Sequence, residues 1–376
     1  MPSTLSRSPL IAVRIYSSVK TNRDVLQGIL HYIKENGPWR IHLSEGRGDE
    51  AKLTADEREN LSGYIGIDHD PEYLPLLRRG VPSILIDSKL RFRKTVGYIN
   101  CDNAAVARAA AEWLVGHRFQ NFAFAGSVKG FMYSDEREKE FFRQLQKLGM
   151  AAGLRPSCNG DRLHNWLKSL PVGTAIFATN DIRARGVMNA CYELGIDIPR
   201  QLSILSVDND ETLCDTTSPG LASIQMTTHE AGYQAAALMD AVLRGRRRIS
   251  KPVIIPYGAK EVIERQSAVF LPHRDSAVER ALDFIKLNFR EKISLAQIAK
   301  AVVISKRHLE NRFNAVMGHG VWTELLNQRL QHASMLIRNT NRTLDDIAED
   351  CAFASASHLS HAFRRHFGVP PSSLRK

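Results

Sequence analysis

Along the first 265 residues, short apolar runs alternate with longer stretches whose apolar residues recur every three or four positions. The runs at Leu10–Tyr16, Ile41–Leu43, Tyr64–Ile67, Ser83–Asp87, Tyr98–Asn100, Asn121–Ala125, Ala175–Ala178 and Ser203–Val207 have the length and composition of buried strands. The intervening segments Arg23–Asn36, Ala104–Val115, Asp135–Leu148 and Ile182–Leu194 have the period of amphipathic helices. Short strands that alternate with helices predict an α/β fold on parallel sheets. Ligands of such sheets bind at the carboxyl ends of the strands, where the loops converge.

The rhythm breaks at Gln266–Arg274 (QSAVFLPHR), which contains Pro272 and has no period. Everything after it is patterned as helix. The chain therefore divides into an α/β domain at residues 1–265, a linker at 266–275 and an all-α domain at 276–376. A length of 376 residues suits two or three domains of about 150 residues each.

Three capping boxes mark helix starts in the second domain: Ser276-x-x-Glu279, Ser294-x-x-Gln297 and Thr343-x-x-Asp346. The last two open an internal repeat. SLAQIA (294–299) aligns with TLDDIA (343–348), and SKRHLENRFNAVMG (305–318) aligns with SASHLSHAFRRHFG (355–368). Each copy reads as a short helix, a tight turn and a second helix stopped by glycine, which is the helix-turn-helix pattern. Between the copies, Trp322–Arg338 has the period of one continuous helix. A rod of this kind can present two recognition helices to successive turns of one DNA face.

Helical geometry sorts the faces of the two recognition helices. Leu309 and Phe313 in the first copy, and Leu359 and Phe363 in the second, are spaced i, i+4 and turn inward. Arg307, Asn311 and Asn314 then face outward with Glu310 and His308 on the flanks, as do Ser357, His361 and Arg364 with His358 and Ser360 on the flanks; Lys306 and Arg365 are further candidate DNA contacts. Arginine can read guanine, asparagine adenine, and glutamate the amino group of cytosine. Ser and His discriminate less, and Arg364 and Arg365 suit phosphates. The first unit is thus expected to be the stronger sequence reader.

The overall balance is basic, with 51 Lys or Arg against 40 Asp or Glu. From Leu271 onward the count is 16 against 10, so the excess per residue is about three times that of the preceding part. Double-stranded DNA is the partner this points to. Five widely spaced cysteines with no C-x-x-C pair argue against a disulfide frame or a zinc site. The spacing His358-x-x-His361 has no cysteine or acidic partner in register, so no metal and no cofactor is expected. The start of the sequence shows no signal-peptide core and no run of about 18 apolar residues occurs, so neither a membrane contact nor export is expected, and the cytoplasm is the expected compartment. No G-x-G-x-x-G, Walker loop, H-E-x-x-H or nucleophile elbow is present, which disfavours an enzyme.

Residues 276–376 resemble the AraC/XylS-type DNA-binding domain, with the signature region at IAEDCAFASASHLSHAFRRHFGVPPSSLR (347–375). The resemblance implies base-reading positions at Arg307, Glu310 and Asn311, then at Ala356, Ser357 and His361. Ala352 stands where that family usually has glycine, and Leu374 where tyrosine is common. The first domain resembles the sugar-sensing domain of LacI/GalR-type repressors, a two-lobed periplasmic-binding-protein-like fold. The stretches YINCDNAAVARAAAEWLVGHRFQNFAFAG (98–126), AIFATNDIRARGVMNACYELGIDIPRQLSILSVDND (175–210) and PGLASIQMTTHEAGYQAAALM (219–239) carry that likeness. Ser206 replaces a usual glycine. This sensor in front of an AraC-type domain is similar to the regulators of bacterial xylose operons. The combination implies a sugar-responsive transcription regulator, with D-xylose the first-choice effector, a homodimer, and RNA polymerase as a further partner.

Sugars are held by carboxylates and amides that each fix two hydroxyls, helped by an arginine fork. Arg137, Asp181, Asp208 and Asn209 fall at the carboxyl ends of predicted strands or at the helix starts beyond them, and are the candidate effector contacts. Tyr16, Asp68 and Tyr133 lie in further candidate loops.

Overall fold

The computed structural model describes residues 8–45, 52–67, 71–127, 132–160, 162–269 and 276–374. The chain divides into two compact units, Met1–Phe270 and Leu271–Lys376.

The first unit holds two six-stranded sheets. In chain order its strands are β1 (Leu10–Arg14), β2 (Arg40–Ser44), β3 (Leu61–Gly66), β4 (Ser83–Ile86), β5 (Thr95–Cys101), β6 (Asn121–Gly126), β7 (Cys158–Asn159), β8 (Thr174–Ala178), β9 (Leu202–Asp208), β10 (Ala222–Met226), β11 (Val253–Tyr257) and β12 (Ala259–Ile263). Its helices are α1 (Lys20–Asn36), α2 (Ala55–Glu59), α3 (Leu74–Arg79), α4 (Asn103–Gly116), α5 (Met132–Lys147), α6 (Leu163–Ser169), α7 (Asp181–Glu193), α8 (Glu211–Cys214) and α9 (Thr228–Leu243). One sheet has the order β11-β5-β4-β3-β1-β2 and the other β12-β10-β9-β8-β6-β7. All neighbours are parallel except β10 and β12.

All eight predicted strands are present. The apolar pattern did not mark β7, β10, β11 or β12, three of which lie at sheet edges. Edge strands bury less of one face: β11 (VIIPY) alternates exposed and buried positions, whereas the central β1 is buried throughout.

Period-two alternation builds the cores. Ile11 and Val13 face α1 and α9, while Leu10 and Ala12 join Tyr64, Tyr73 and Leu85 on the opposite side. In the second sheet Phe122, Phe124 and Phe177 point one way, and Ala123, Ala125 and Ile176 the other. Helices α1 and α9 pack backbone to backbone. A Cβ at Gly28 would stand 2.0 Å from the His229 carbonyl oxygen, and one at Gly232 would stand 2.1 Å from that of Val25. Only glycine permits so close an approach.

The chain crosses between the sheets three times, after β5, β10 and β11. The crossings are tied together. Asp102 N–H donates to Tyr257 O at 2.7 Å, Thr227 N–H to Gly258 O at 2.9 Å, and Gly258 N–H to Thr227 Oγ1 at 3.0 Å. The two sheets thus form two lobes joined at a triple hinge. The 3-10 turn Gln266–Ala268, inside the predicted 266–275 linker, is anchored in the second sheet. Ser267 there is fully buried; its hydroxyl donates to Ile204 O and accepts from Ala222 N–H.

The second unit is all helix: α10 (Ser276–Asn288), α11 (Leu295–Ala301), α12 (Lys306–Met317), α13 (Val321–Asn339), α14 (Leu344–Asp350) and α15 (Ala356–Phe367). Two capping boxes form as predicted, at Ser294/Gln297 and at Thr343/Asp346. The side chain of Ser276, the third predicted box, lies outside the described residues. Two cores result. One holds Leu309 and Phe313 with α10, α11 and the start of α13; the other holds Leu359 and Phe363 with α14 and the rest of α13.

The repeat is visible in the backbone. Val303 (φ 60°) and Ala352 (φ 55°) make the left-handed turns between paired helices, and Gly318 (φ 73°) and Gly368 (φ 74°) stop the second helices. The second turn is one residue longer, with Ala354 added between Phe353 and the cap Ser355.

Candidate functional site

Two sites follow from these folds: a cleft between the lobes, and the paired recognition helices.

The cleft collects the carboxyl ends of β4, β5, β8 and β9 and the starts of α1, α5 and α7. Arg137, on the second turn of α5, is 5 % exposed. Its Nε donates to Asn103 Oδ1 at 2.9 Å, Nη1 to the Thr179 carbonyl, and Nη2 to Cys101 Sγ at 3.5 Å. The guanidinium lies 5.4 Å from the Tyr133 ring centroid, so that tyrosine stands against it.

Asp208 ends β9 with φ 105°, followed by Asn209 at φ 49°. Aspartate and asparagine tolerate this left-handed backbone better than other side chains. Burial pushes the Asp208 carboxyl up to about 8; nearby Asp181 and Asp210 add to the shift, and Arg137 and Lys20 oppose it. Its carboxylate accepts no hydrogen bond from any other described residue. The fold therefore leaves the Asp208 carboxyl without a hydrogen-bond partner among the described residues, and burial favours its neutral form.

The other two candidates, Asp181 and Asn209, are placed differently. Asp181, the first residue of α7, is 1 % exposed. Its Oδ1 accepts from Ser223 Oγ at 2.6 Å and its Oδ2 from the Asp210 N–H at 2.7 Å. The cap of α7 is Asn180, which accepts from Arg183 N–H. Burial raises the Asp181 pKa, as it does for Asp208. Asn209 donates through Nδ2 to Gln225 Oε1 at 2.8 Å, and its Oδ1 accepts from Arg265 at 2.9 Å. Asp181 and Asn209 thus hold the loop that presents Asp208. Tyr16 is exposed under the Arg14 guanidinium at 4.9 Å, and Asp68 lies outside the described residues.

Three further residues line the cleft beside those that the sequence nominated. Asp87, beyond β4 with φ 46°, accepts from Cys101 N–H at 3.1 Å and from the Tyr257 hydroxyl at 2.7 Å. Tyr257 ends the unforeseen strand β11, and burial beside Asp87 raises its pKa well above the usual phenol value. Asn103, which orients Arg137, also donates to Glu136 at 2.9 Å. An aspartate closing a predicted strand (SILID) was the signal for Asp87; nothing comparable marked Tyr257 or Asn103.

In the second unit, Lys306, Arg307 and Asn311 on α12 are exposed and Glu310 is partly covered. On α15, Ser357, His358, His361, Arg364 and Arg365 are exposed. The His358 ring rests edge-on against Phe353, centroids 5.5 Å apart, at the base of the helix. Leu309, Phe313, Leu359 and Phe363 are fully buried, so both outward faces are the ones helical geometry predicts. Among the described residues no cluster of three or more metal-type side chains occurs, and no helix is long and apolar enough to cross a membrane. All five cysteines are free thiols.

Comparison with known proteins agrees with this division. A periplasmic binding protein-like domain matches residues 111–268, and a helix-turn-helix domain matches residues 298–376. The chain is 27 % identical to the xylose operon regulatory protein of Haemophilus influenzae, across 97 % of each chain. It is also 27 % identical to the protein of the same name from Escherichia coli, covering 94 % of this chain and 93 % of that one. Among solved structures, a xylose-binding transcription activator matches with a TM-score of 0.70 and 25 % identity across 98 % of both chains. The chain thus has a sensor-type domain followed by a helix-turn-helix domain, in the order found in these regulators.

Proposed function

We propose that this two-domain transcription regulator, built like the xylose operon regulatory proteins, binds D-xylose in the cleft of its first unit and double-stranded DNA through α12 and α15. The unfilled Asp208 carboxylate, facing the Arg137 guanidinium between two hinged lobes, carries the sugar half of this reading. A carboxylate that accepts from two hydroxyls and an arginine that donates to a third would fix the stereochemistry of a small polyol. The xylose named in its relatives supports the choice of pentose. Arg307, Glu310 and Asn311 would read bases in one major-groove segment. Ser357, His358 and His361 would make weaker base contacts in the next, with Lys306, Arg364 and Arg365 on phosphates.

Sugar would draw the lobes together, and in a homodimer this would change how the helix-turn-helix units meet the operator and RNA polymerase. The role is regulatory, in the cytoplasm, with no catalytic step. Thermal unfolding with D-xylose, L-arabinose, D-ribose and D-glucose tests the sensor. A ligand at about 100 times its Kd stabilises by about 2.7 kcal/mol, so D-xylose should raise Tm clearly and the others little. Indifference to all four sugars, with DNA binding equally unmoved, would refute the sensor assignment.

A further inference from the structure

The two helix-turn-helix units meet at a junction that uses none of the recognition residues. Arg329, midway along α13, is 6 % exposed. It donates through Nε to the Phe289 carbonyl at 2.8 Å and through Nη2 to the Glu291 carbonyl at 2.6 Å. These carbonyls belong to the loop after α10, on the side of the first helix-turn-helix unit, and Phe289 also packs edge-on against His332 of α13 at 5.2 Å. The residue between them, Arg290, is thereby held at both sides. Its side chain reaches the second helix-turn-helix unit and donates to Asp350 Oδ1, at the end of α14. The other oxygen, Oδ2, accepts from Arg342 at 2.7 Å.

Asp350 therefore sits where three segments join, with its side chain mostly covered while Arg290 is half exposed. Elsewhere the apolar cores of the two units are separate, and α13 alone runs through both. A single helix resists bending along its axis but leaves the units attached to it freer to rock about that axis. An off-axis tie removes this freedom. We infer that the Arg290–Asp350 bridge, seated by Arg329, sets the spacing and phase at which α12 and α15 meet DNA. Asp350 and Arg290 are positioning residues: they act through the recognition helices.

The inference rests on the DNA-binding reading above, and the two can fail separately. The probe is a duplex selected by the intact wild-type chain from a random DNA pool, together with versions shortened to one recognised segment or carrying one to five extra base pairs between segments. Failure to select any sequence would count against the DNA-binding reading itself. Given a selected site, wild type should show a sharp optimum of spacing. Asp350→Asn and Arg290→Gln should keep the single-segment affinity, lose about tenfold on the optimal duplex and flatten the spacing curve, because a loose tether lowers the effective concentration of the second unit. Asp350→Glu should restore part of the sharpness. Arg290 is exposed enough for its variant to fold, and thermal unfolding checks both. An unchanged spacing curve, or equal losses on the single-segment and full duplexes, would overturn the inference.

Discussion

Arg23 of α1 and Asp210, the cap of α8, form an ion pair of 2.6 Å that joins the two lobes across the cleft. Asp210 N–H is held by Asp181, so the same loop that presents Asp208 is tied to the first lobe. Arg23 is itself oriented through a second donor, to the Ser17 carbonyl at 2.7 Å. An ion pair of this kind exists only with the lobes this close, so it favours that arrangement over a wider one.

Arg23→Gln should therefore weaken sugar binding without touching the sugar. A partly exposed pair supports a loss of roughly two- to fivefold, expressed mainly as faster dissociation. Asp210→Asn should behave alike, and the double variant should lose little more than either single one. Stopped-flow release of sugar measures this; identical dissociation rates in wild type and Arg23→Gln would remove the pair from the mechanism.

Asp208 makes the cleft sensitive to pH. With its pKa near 8, it is largely protonated at neutral pH, and the ionised form is the stronger acceptor for sugar hydroxyls. Sugar affinity should rise between about pH 7 and 9, and Asp208→Asn should make it both weaker and flat with pH. Stability runs the other way. The folded pKa lies above the ordinary 3.8, so the native state holds the proton more tightly and this group's contribution is lost as pH rises from about 4 to about 8. Without sugar, Asp208→Asn should raise Tm at pH 8 relative to wild type. A pH-independent affinity in wild type would show that Asp208 does not receive the sugar.

The two left-handed turns offer a stability test. Val303 is β-branched, 85 % exposed and held at φ 60°, and Ala352 is held at φ 55°. Relief of this strain outweighs the greater freedom glycine has in the unfolded chain. Val303→Gly and Ala352→Gly should each stabilise the second unit by roughly 0.5–1 kcal/mol. Val303 should gain more. Denaturant unfolding reads the change; lower midpoints in both variants would contradict the turn assignment.

Base and phosphate contacts separate by their specificity. Arg307→Ala should cost about 1–3 kcal/mol at particular base pairs and little elsewhere. Arg364→Ala or Arg365→Ala should weaken all sequences alike and reduce the salt slope by about 0.9. Binding to a library of single-base variants at several salt concentrations distinguishes them. A uniform loss for Arg307→Ala would move it to the phosphate group.

By itself the sequence determined what local periodicity and local chemistry encode. Continuous apolar runs marked the buried strands, capping boxes marked the starts of α11 and α14, and the internal repeat exposed two helix-turn-helix units with their inward Leu and Phe residues. The outward faces of α12 and α15 followed from helical geometry alone. Tertiary structure decided which of several strand-end polar groups remain available. Asp181, Asn209 and Asp208 look alike in sequence, yet the first two are engaged by Ser223, Gln225 and Arg265, partners between 16 and 56 residues away, and Asp208 is not. The contribution of Tyr257 depended on an edge strand whose half-exposed pattern is weak. Arg23–Asp210 and Arg290–Asp350 are pairs 187 and 60 residues apart, and no local pattern specifies such a pairing. Hydrogen-bond satisfaction is a property of the folded neighbourhood, so a residue's chemical type can nominate it for a site but only its neighbours leave it free to act there.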